Sequence, residues 1–368
     1  YKGENYMSWQ KKILRVDLGA GTCESEDLNM EWARKYLGSR GLATKYFAEE
    51  VDPKVDPLSA DNKLIIATGP LTSTVAPTSG RWTAVTKGPL TGAIACSNSG
   101  GFFGAEFKNA GWDMIIFEGK ASSPVYLDIK NEEAELKDAS AMWGKSVWET
   151  EDMLREIRGD KFIRCASIGQ AGENGVLFAG IINDKDRAAG RSGVGAVMGS
   201  KNLKAIAVRG TVGVKPEDPA ALSKAANAAK KILAENAVTG EGLPTFGTQV
   251  LMNVINETGA LPTRNSTDVQ FEGANNISAE AMAEVRESDG RANLVSNAAC
   301  FGCPIECQRV SVIDPEHFSV KGRPQYQIES GGLEYEAAWA LGAATGVDDL
   351  DALTFCNFAC NEYGMDPI

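Results

Sequence analysis

Up to about residue 210 the chain is a succession of short runs in which apolar and β-branched residues cluster, each closed by glycine or a polar turn. The runs at 12–18, 63–68, 82–86, 114–118, 125–129, 162–168, 176–182 and 205–208 carry the Val, Ile and aromatic residues that half-buried sheet positions favour, and predict strands. Between them, 30–49 and 145–158 place apolar residues at helical spacing and predict helices laid on the sheets. After Gly210 the character changes. Val214-Lys-Pro-Glu-Asp-Pro219 reads as a connector, an alanine-rich helix is predicted at 220–235, and helical periodicity continues at 248–256, 279–287, 335–344 and 349–363. The predicted fold class is α+β, with a β-rich domain over 1–210 and a mainly α-helical domain over 211–368.

Length agrees with two domains, since 368 residues exceed what one hydrophobic core usually serves. No apolar run approaches the roughly 20 residues needed to span a bilayer. Tyr1-Lys-Gly-Glu-Asn5 carries no basic stretch followed by an apolar one, so a cytoplasmic location is expected. A net charge of -12 argues against nucleic acid as a partner, because phosphate binding asks for a basic face. Residues 361–368 read as a helix followed by a turn, without a shift toward a disordered tail, which predicts that the natural chain continues. Eight cysteines in such a chain point to thiols, metal or a cluster rather than disulfides.

The sharpest local signal is Cys300-Phe-Gly-Cys303-Pro-Ile-Glu-Cys307. Gaps of two and three residues let three thiolates converge from one tight loop, as an iron–sulfur cubane requires, and Pro304 stiffens the loop while removing one backbone donor. Zinc is the competing occupant, although a zinc ribbon would present a second CxxC pair. Cys356 and Cys360 are candidates for a fourth ligand, but their spacing on a helix fits core packing better. Cys23, Cys96 and Cys165 have no partner pattern and read as structural.

Three further segments combine glycine, arginine and small polar residues: 68–81, ending in Gly80-Arg81; Ser97-Asn98-Ser99-Gly100-Gly101; and Arg187-Ala188-Ala-Gly190-Arg191-Ser-Gly193-Val-Gly195. Glycine allows a backbone to approach a ligand closely, and arginine grips phosphate with a bidentate fork, so together they predict a phosphorylated cofactor. No Walker loop is present, and no GxGxxG sits between a strand and a helix, which argues against an ordinary nucleotide.

In this order, Gly69-Pro-Leu-Thr72, Gly80-Arg81, Asn98-Ser-Gly-Gly101, Gly172-Glu-Asn174, Arg187-Ala-Ala-Gly-Arg191, Val197-Met-Gly-Ser-Lys-Asn-Leu-Lys-Ala-Ile206, the three cysteines and Glu334-Tyr335-Glu336 closely resemble the aldehyde:ferredoxin oxidoreductases. The resemblance covers essentially the whole chain and corresponds to about the first three-fifths of a full-length member. It implies that two β-sheets in the first domain form a base for two molybdopterins holding one tungsten, with helical domains closing over it. Arg81, Asn98, Gly100, Arg187, Ala188, Gly190 and Arg191 would then hold the pterins and their phosphates, leaving room for a magnesium bridging the phosphates. The family's pterin-contacting DxxGLD pattern stands here as Asn361-Glu-Tyr-Gly-Met365-Asp366, which keeps the turn, loses the first carboxylate and is expected to keep binding. Cys300, Cys303 and Cys307 would be three ligands of a 4Fe-4S cluster, the fourth lying beyond this chain, which argues against Cys356 and Cys360.

The implied activity is oxidation of aldehydes to carboxylic acids, with electrons leaving through the cluster to ferredoxin or a ferredoxin-like subunit of an oligomer. Glu336 would be the general base, helped by a pKa raised through burial; Glu334 is its alternative, and the only histidine, His317, is expected in a surface insertion. Phe355 replaces the glutamate that some members use for a bridging iron, so that style of dimer is not expected. The rival readings are a tungsten-dependent aryl-CoA reductase or other paralogue on the same scaffold, and a non-catalytic iron–sulfur electron-transfer subunit.

Overall fold

The computed structural model describes residues 8–368; the first residues, on which the expected absence of a targeting segment rests, lie outside the described part. The chain divides into two compact units. One comprises Tyr1–Asn227 together with Cys300–Gly302 and Asn361–Asp366, and the other comprises Ala228–Ala299, Cys303–Cys360 and Pro367–Ile368.

The first unit is built on two six-stranded mixed sheets. The first contains β1 (Lys12–Asp17), β2 (Thr22–Asp27), β3 (Leu64–Thr68), β4 (Trp82–Lys87), β5 (Ile94–Ser99) and β6 (Met114–Glu118), in the order β2-β1-β6-β3-β4-β5. The second contains β7 (Val125–Lys130), β8 (Glu133–Asp138), β9 (Arg164–Ser167), β10 (Ile181–Asn183), β11 (Arg187–Ala189) and β12 (Leu203–Arg209), in the order β11-β10-β9-β12-β7-β8. Only β1 with β6 and β7 with β12 run parallel; the other pairs are antiparallel.

Alternation along the strands decides what each face meets. Leu64 and Ile66 of β3, Leu14 and Val16 of β1, and Ile115 and Phe117 of β6 enter one core with Leu127, Ile129, Ile206 and Val208 from the second sheet. The intervening Ile65, Ala67, Ile13, Met114 and Ile116 turn to the opposite face, where α1 (Met30–Tyr36) and α2 (Ser39–Glu50) cover them with Ala33, Leu42, Tyr46 and Phe47. The helices α3 (Phe103–Asn109), α4 (Val147–Arg158), α5 (Gln170–Glu173) and α6 (Val194–Ser200) follow in the chain. Phe103 and Phe107 of α3 and Val194, Val197 and Met198 of α6 wedge into the core between the sheets, while Leu154 of α4 covers the outer face of the second sheet beside Tyr126, Cys165 and Ala207.

The second unit holds shorter elements. The connector leads into α7 (Pro219–Glu235), which belongs to this unit from Ala228 onward, and then come α8 (Leu243–Phe246), α9 (Leu251–Glu257), α10 (Ala279–Ala283), α11 (Tyr335–Ala338) and α12 (Leu350–Tyr363), the last belonging to it up to Cys360. Met252, Leu261, Phe271, Ile277, Leu333 and Leu353 form its core. A three-stranded antiparallel sheet, β13 (Leu294–Ala298), β14 (Gln308–Ser311) and β15 (Ser330–Gly331), is added to the helices expected there. Among the described residues no helix is long and apolar enough to cross a membrane.

Where prediction and structure part, local chemistry explains it. The helix expected over 30–49 breaks because Leu37 takes φ 64° and Gly38 is extended; a Cβ at Gly38 would lie 3.0 Å from both Gly69 Cα and Pro70 Cδ, so the chain must turn aside there. The helix expected over 279–287 stops at Ala283, since Glu284 is extended and Val285 pairs with Ala292. The strand expected over 176–182 is confined to β10, because Gly180 N–H donates to Gly364 O and the preceding residues form a turn. By contrast α4 begins and ends where its sequence directs: Ser146 and Glu149 form a reciprocal capping box, and Gly159 closes the helix in the left-handed region at φ 60°.

A buried ion pair ties α3 to the strand that follows it. Lys108 Nζ, fully buried, contacts Asp113 Oδ1, and Asp113 Oδ2 also accepts Lys11 N–H at 2.6 Å. Removing one partner of such a pair strands the other charge. Asp113→Ala is therefore expected to lower unfolding free energy by roughly 3–5 kcal/mol, measured by chemical denaturation.

Candidate functional site

In the first unit the antiparallel register sets Thr83 opposite Asn98 and Trp82 opposite Ser99. Arg81, just ahead of β4, thereby reaches across, and its Nη1 donates to Asn98 Oδ1 at 3.1 Å. Both side chains are exposed, and among the described residues Arg81 and Arg187 make no ion pair, so their guanidinium groups are not committed to carboxylates.

Beyond β5 the chain passes through Gly100 and Gly101, the latter at φ +78°. A Cβ on Gly100 would lie 2.5 Å from Cys300 Sγ and 4.0 Å from Arg187 Nη1, and one on Gly101 would lie 2.3 Å from Asp184 Oδ2. Both positions require glycine for space, and Gly101 for backbone freedom as well. The loop is also tied from behind: Phe301 N–H donates to Gly101 O at 3.1 Å. Gly100, Arg187 and Cys300, singled out separately in the sequence, are thus brought together.

Arg187 belongs to a hairpin rather than a free loop. β10 and β11 pair with Asn183 opposite Arg187, and the three residues between them include Asp184 and Lys185 at φ 50° and 65°. Asn183 is fully buried and uses every polar atom of its side chain. Its Oδ1 accepts Trp82 Nε1–H at 3.2 Å and the Ser99 hydroxyl at 2.7 Å, while its Nδ2 donates to Gly100 O at 3.1 Å and Asp184 Oδ2 at 2.9 Å. Asp184 accepts Phe102 N–H at 2.7 Å and Arg164 Nη1 at 3.2 Å. The turn is held to α4 by Glu151, which accepts Lys185 N–H at 3.1 Å, and by Trp148 Nε1, which donates to Lys185 O at 3.0 Å. Asn183 and Asp184 had not been predicted; the polar run Asn183-Asp-Lys-Asp186 between an apolar strand and Arg187 is the turn signal that marks them.

A second meeting point lies at the far end of β11. Gly190 stands against Asp366, whose Oδ2 is 3.0 Å from where a Gly190 Cβ would lie. Met365 forms a bridge with Ala179, Asp366 N–H donates to Phe178 O at 3.2 Å, and Asn361 is buried. The segment carrying Asn361, Met365 and Asp366 is therefore part of the first unit and touches the turn that carries Ala188, Gly190 and Arg191.

The second unit holds Cys303 and Cys307, both half-buried, and no cysteine of the chain is in a disulfide. Among the described residues no three His, Cys, Asp or Glu side chains converge on one point, so the loop 300–307 offers its thiols through spacing and donor chemistry. Directly after it, Arg309 is fully buried: Nη1 donates to Thr245 O at 2.9 Å, Nη2 to Leu243 O at 3.3 Å and Glu306 O at 3.4 Å, and Nε has no partner.

Glu336 lies in the first turn of α11 with its side chain exposed, so the burial expected to raise its pKa is not found: Ala337 and Ala338 carry that helix's buried face, and Glu336 points away from it. Glu334 is half-buried, and its Oε2 accepts the Thr248 hydroxyl. His317 is half-buried, with Nε2 3.1 Å from Asp349 Oδ2. Phe355 packs edge-on against Tyr326 at 5.0 Å. Cys356 is exposed, which corrects its reading as a core cysteine: position 356 falls on the solvent side of α12, between buried Leu353 and Thr354 and buried Asn357 and Phe358.

Two models of the aldehyde ferredoxin oxidoreductase family match the chain, one for the N-terminal domain over residues 13–210 and one for domains 2 and 3 over 224–368. The tungsten-containing aldehyde ferredoxin oxidoreductase of Pyrococcus horikoshii is 51% identical over 97% of this chain and 56% of its own length, and that of Pyrococcus furiosus 48% identical over 99% and 57%. The chain thus spans a little over half the length of these curated relatives. Among solved structures, the active site complex BamBC of benzoyl coenzyme A reductase is similar at a TM-score of 0.83 and 28% identity, covering 99% of this chain and 54% of that one.

The hydrogen bonds of Asn183 generate one expectation. Asn183→Ala strands the Trp82 indole N–H and the Ser99 hydroxyl, at roughly 1–3 kcal/mol for each buried group. It should also raise the hydrogen-exchange rate of the Phe102 amide. Glu151 generates a second, since burial pushes its carboxyl up to about 7, Asp184 adds to the rise, and Arg155 and Lys185 oppose it. The folded state then keeps a proton that the unfolded chain releases at an ordinary 4.5, so stability from this group is full below about 4.5 and declines as pH rises to about 7. Glu151→Gln should remove that decline, read as a wild-type-minus-variant difference in denaturation midpoint between pH 4 and pH 8, bracketing those two values.

Proposed function

Because the chain belongs to the aldehyde ferredoxin oxidoreductase family, we propose that its protein is a tungsten-pterin oxidoreductase that oxidises aldehydes to carboxylic acids, delivering electrons through a 4Fe-4S cluster to ferredoxin or a ferredoxin-like subunit. The observation that carries this reading is the convergence of Gly100, Arg187 and Cys300: a pterin-loop glycine, a phosphate-type arginine and a cluster-type thiol meet within one unit.

In this reading the two sheets of the first unit are the base for the pterins. Arg81 and Arg187, uncommitted to carboxylates, and Arg191 offer guanidinium forks to phosphate oxygens, an arrangement a lysine would not reproduce. Asn98 offers an exposed amide, and Ala188 and the glycines at 100 and 190 keep side-chain bulk low around it. Asn361, Met365 and Asp366 close the other end, against Gly190; a magnesium between the phosphates would find Asn98 and backbone carbonyls, which are ligands suited to a hard cation. Cys300, Cys303 and Cys307 supply three thiolates, with Pro304 withholding a backbone donor from the loop.

When bound, the tungsten centre supplies the two-electron oxidation, and the protein's residues orient the substrate and manage its proton. Glu336 is the proposed general base on the hydrated aldehyde. Its exposure in the first turn of α11 leaves the carboxylate accessible to a bound substrate. The 28% identity to a benzoyl coenzyme A reductase component favours, as the second reading, a reaction on a CoA thioester; aldehyde-dependent dye reduction without CoA separates the two.

Glu336→Gln should keep tungsten and iron content and lose aldehyde oxidation by roughly 10²–10⁴-fold, the usual contribution of a positioned base. Metal analysis paired with steady-state kinetics measures both; turnover within a factor of a few of wild type removes Glu336 from the chemistry.

A further inference from the structure

Arg309 presents a physical problem that nothing described so far resolves. Its side chain is fully buried, yet its hydrogen bonds go to three carbonyl oxygens, of Leu243, Thr245 and Glu306, and among the described residues it forms no ion pair. Carbonyl dipoles satisfy N–H groups but do not neutralise a charge, and a buried cation with no anion in contact is disfavoured by several kcal/mol. Such a group persists where an anion is supplied from elsewhere.

The position of the guanidinium indicates the anion. Arg309 follows Cys307 by two residues, and a Cβ on Gly247 would lie 2.7 Å from Cys307 O and 2.8 Å from Arg309 Cζ, so the guanidinium packs beneath the cysteine loop. Its bond to Glu306 O reaches the loop backbone one residue before Cys307, where Glu306 takes φ 52°. Gly247, itself at φ +59°, leaves the space that this approach needs. The Glu334 carboxylate accepts the Thr248 hydroxyl and attracts Arg309 without forming an ion pair with it. A thiolate at Cys307 would be the anion closest along the chain, and it is one that acts on the guanidinium.

Resting on the reading of the cysteine loop as a cluster site, we propose that Arg309 is the fixed counter-charge of the iron–sulfur centre and raises its reduction potential. A cubane held by thiolates is anionic and gains one further negative charge when it takes up one electron. A permanent cation on the loop favours the reduced state, and a guanidinium that is itself fully buried is weakly screened. Arginine suits the task because its guanidinium stays protonated when buried and its planar fork reaches several carbonyls at once.

The test is a reductive titration of the anaerobically purified holoenzyme, followed by the electron paramagnetic resonance of the reduced cluster, for wild type, Arg309→Gln and Arg309→Lys. Glutamine keeps amide donors for the carbonyls but removes the charge; lysine keeps a cation and loses the fork. At a fixed ambient potential the reduced-to-oxidised ratio should fall roughly tenfold in Arg309→Gln, about 59 mV for a one-electron couple, and recover most of that in Arg309→Lys. Equal midpoints for wild type and Arg309→Gln overturn the proposal. So does a shift in Arg309→Lys as large as in Arg309→Gln, or loss of iron and sulfide from both variants, since either assigns Arg309 to loop geometry alone. Failure of the underlying cluster reading is distinguishable, because wild type itself would then lack iron and acid-labile sulfide.

Discussion

The first unit depends on a place where the Gly100–Gly101 backbone lies so close to side chains of two other segments that a Cβ has no room. At Gly100 and Gly101 a Cβ would collide with Cys300, Asp184 and Asn183. What occupies that space instead is a set of hydrogen bonds centred on one buried asparagine, whose amide joins β4, β5 and the β10–β11 hairpin through Trp82, Ser99 and Gly100. Sheets pack through apolar faces and tolerate sliding; an amide with each polar atom engaged does not. The two sheets therefore meet in one register at the end where the loops gather.

Buried charge is the second organising constraint, and the molecule meets it in three ways. Lys108 has a carboxylate, Asp113, at its head group. Lys204 is shared between Glu173, at 2.5 Å, and Lys145 O, at 2.8 Å. Lys201 has carbonyls only, those of Ala60, Asn62 and Gly119, and burial pulls its ammonium down to about 8, so it comes close to shedding its charge. Arg309 is held by carbonyls in the same way but cannot take that route, because a guanidinium retains its proton at any ordinary pH. That contrast sets it apart from the structural lysines.

Much of the fold was legible in the chain because local chemistry dictated it. β3 and β6 are nearly continuous apolar runs buried on both faces, β1, β4, β7 and β12 are rich in apolar and β-branched residues, and α4 carries its start and stop in Ser146, Glu149 and Gly159. In the first unit the strands that escaped lie at sheet edges. β2 and β8, Thr-Cys-Glu-Ser-Glu-Asp and Glu-Ala-Glu-Leu-Lys-Asp, put charges on an unpaired edge, which protects against aggregation and erases the alternation that reveals a strand. β5 was hidden for another reason: its inward residues, Ala95, Ser97 and Ser99, are small or polar because they face a hydrogen-bonded region of the core.

The sequence by itself determined the chemistry on offer: which loops carry glycine and arginine, the spacing of Cys300, Cys303 and Cys307, and the carboxylates at 334 and 336. These are properties of residue type and short-range order, and a linear reading captures them. Only the tertiary structure decided that Gly100, Arg187 and Cys300 are neighbours, that Gly190 meets Asp366, that Asn183 and Asp184 bind the loops together, and that Arg309 is buried without a carboxylate. Those contacts join residues far apart along the chain, and they form only once strand pairing and core burial have chosen a register, which depends on the summed packing of many side chains rather than on any one segment.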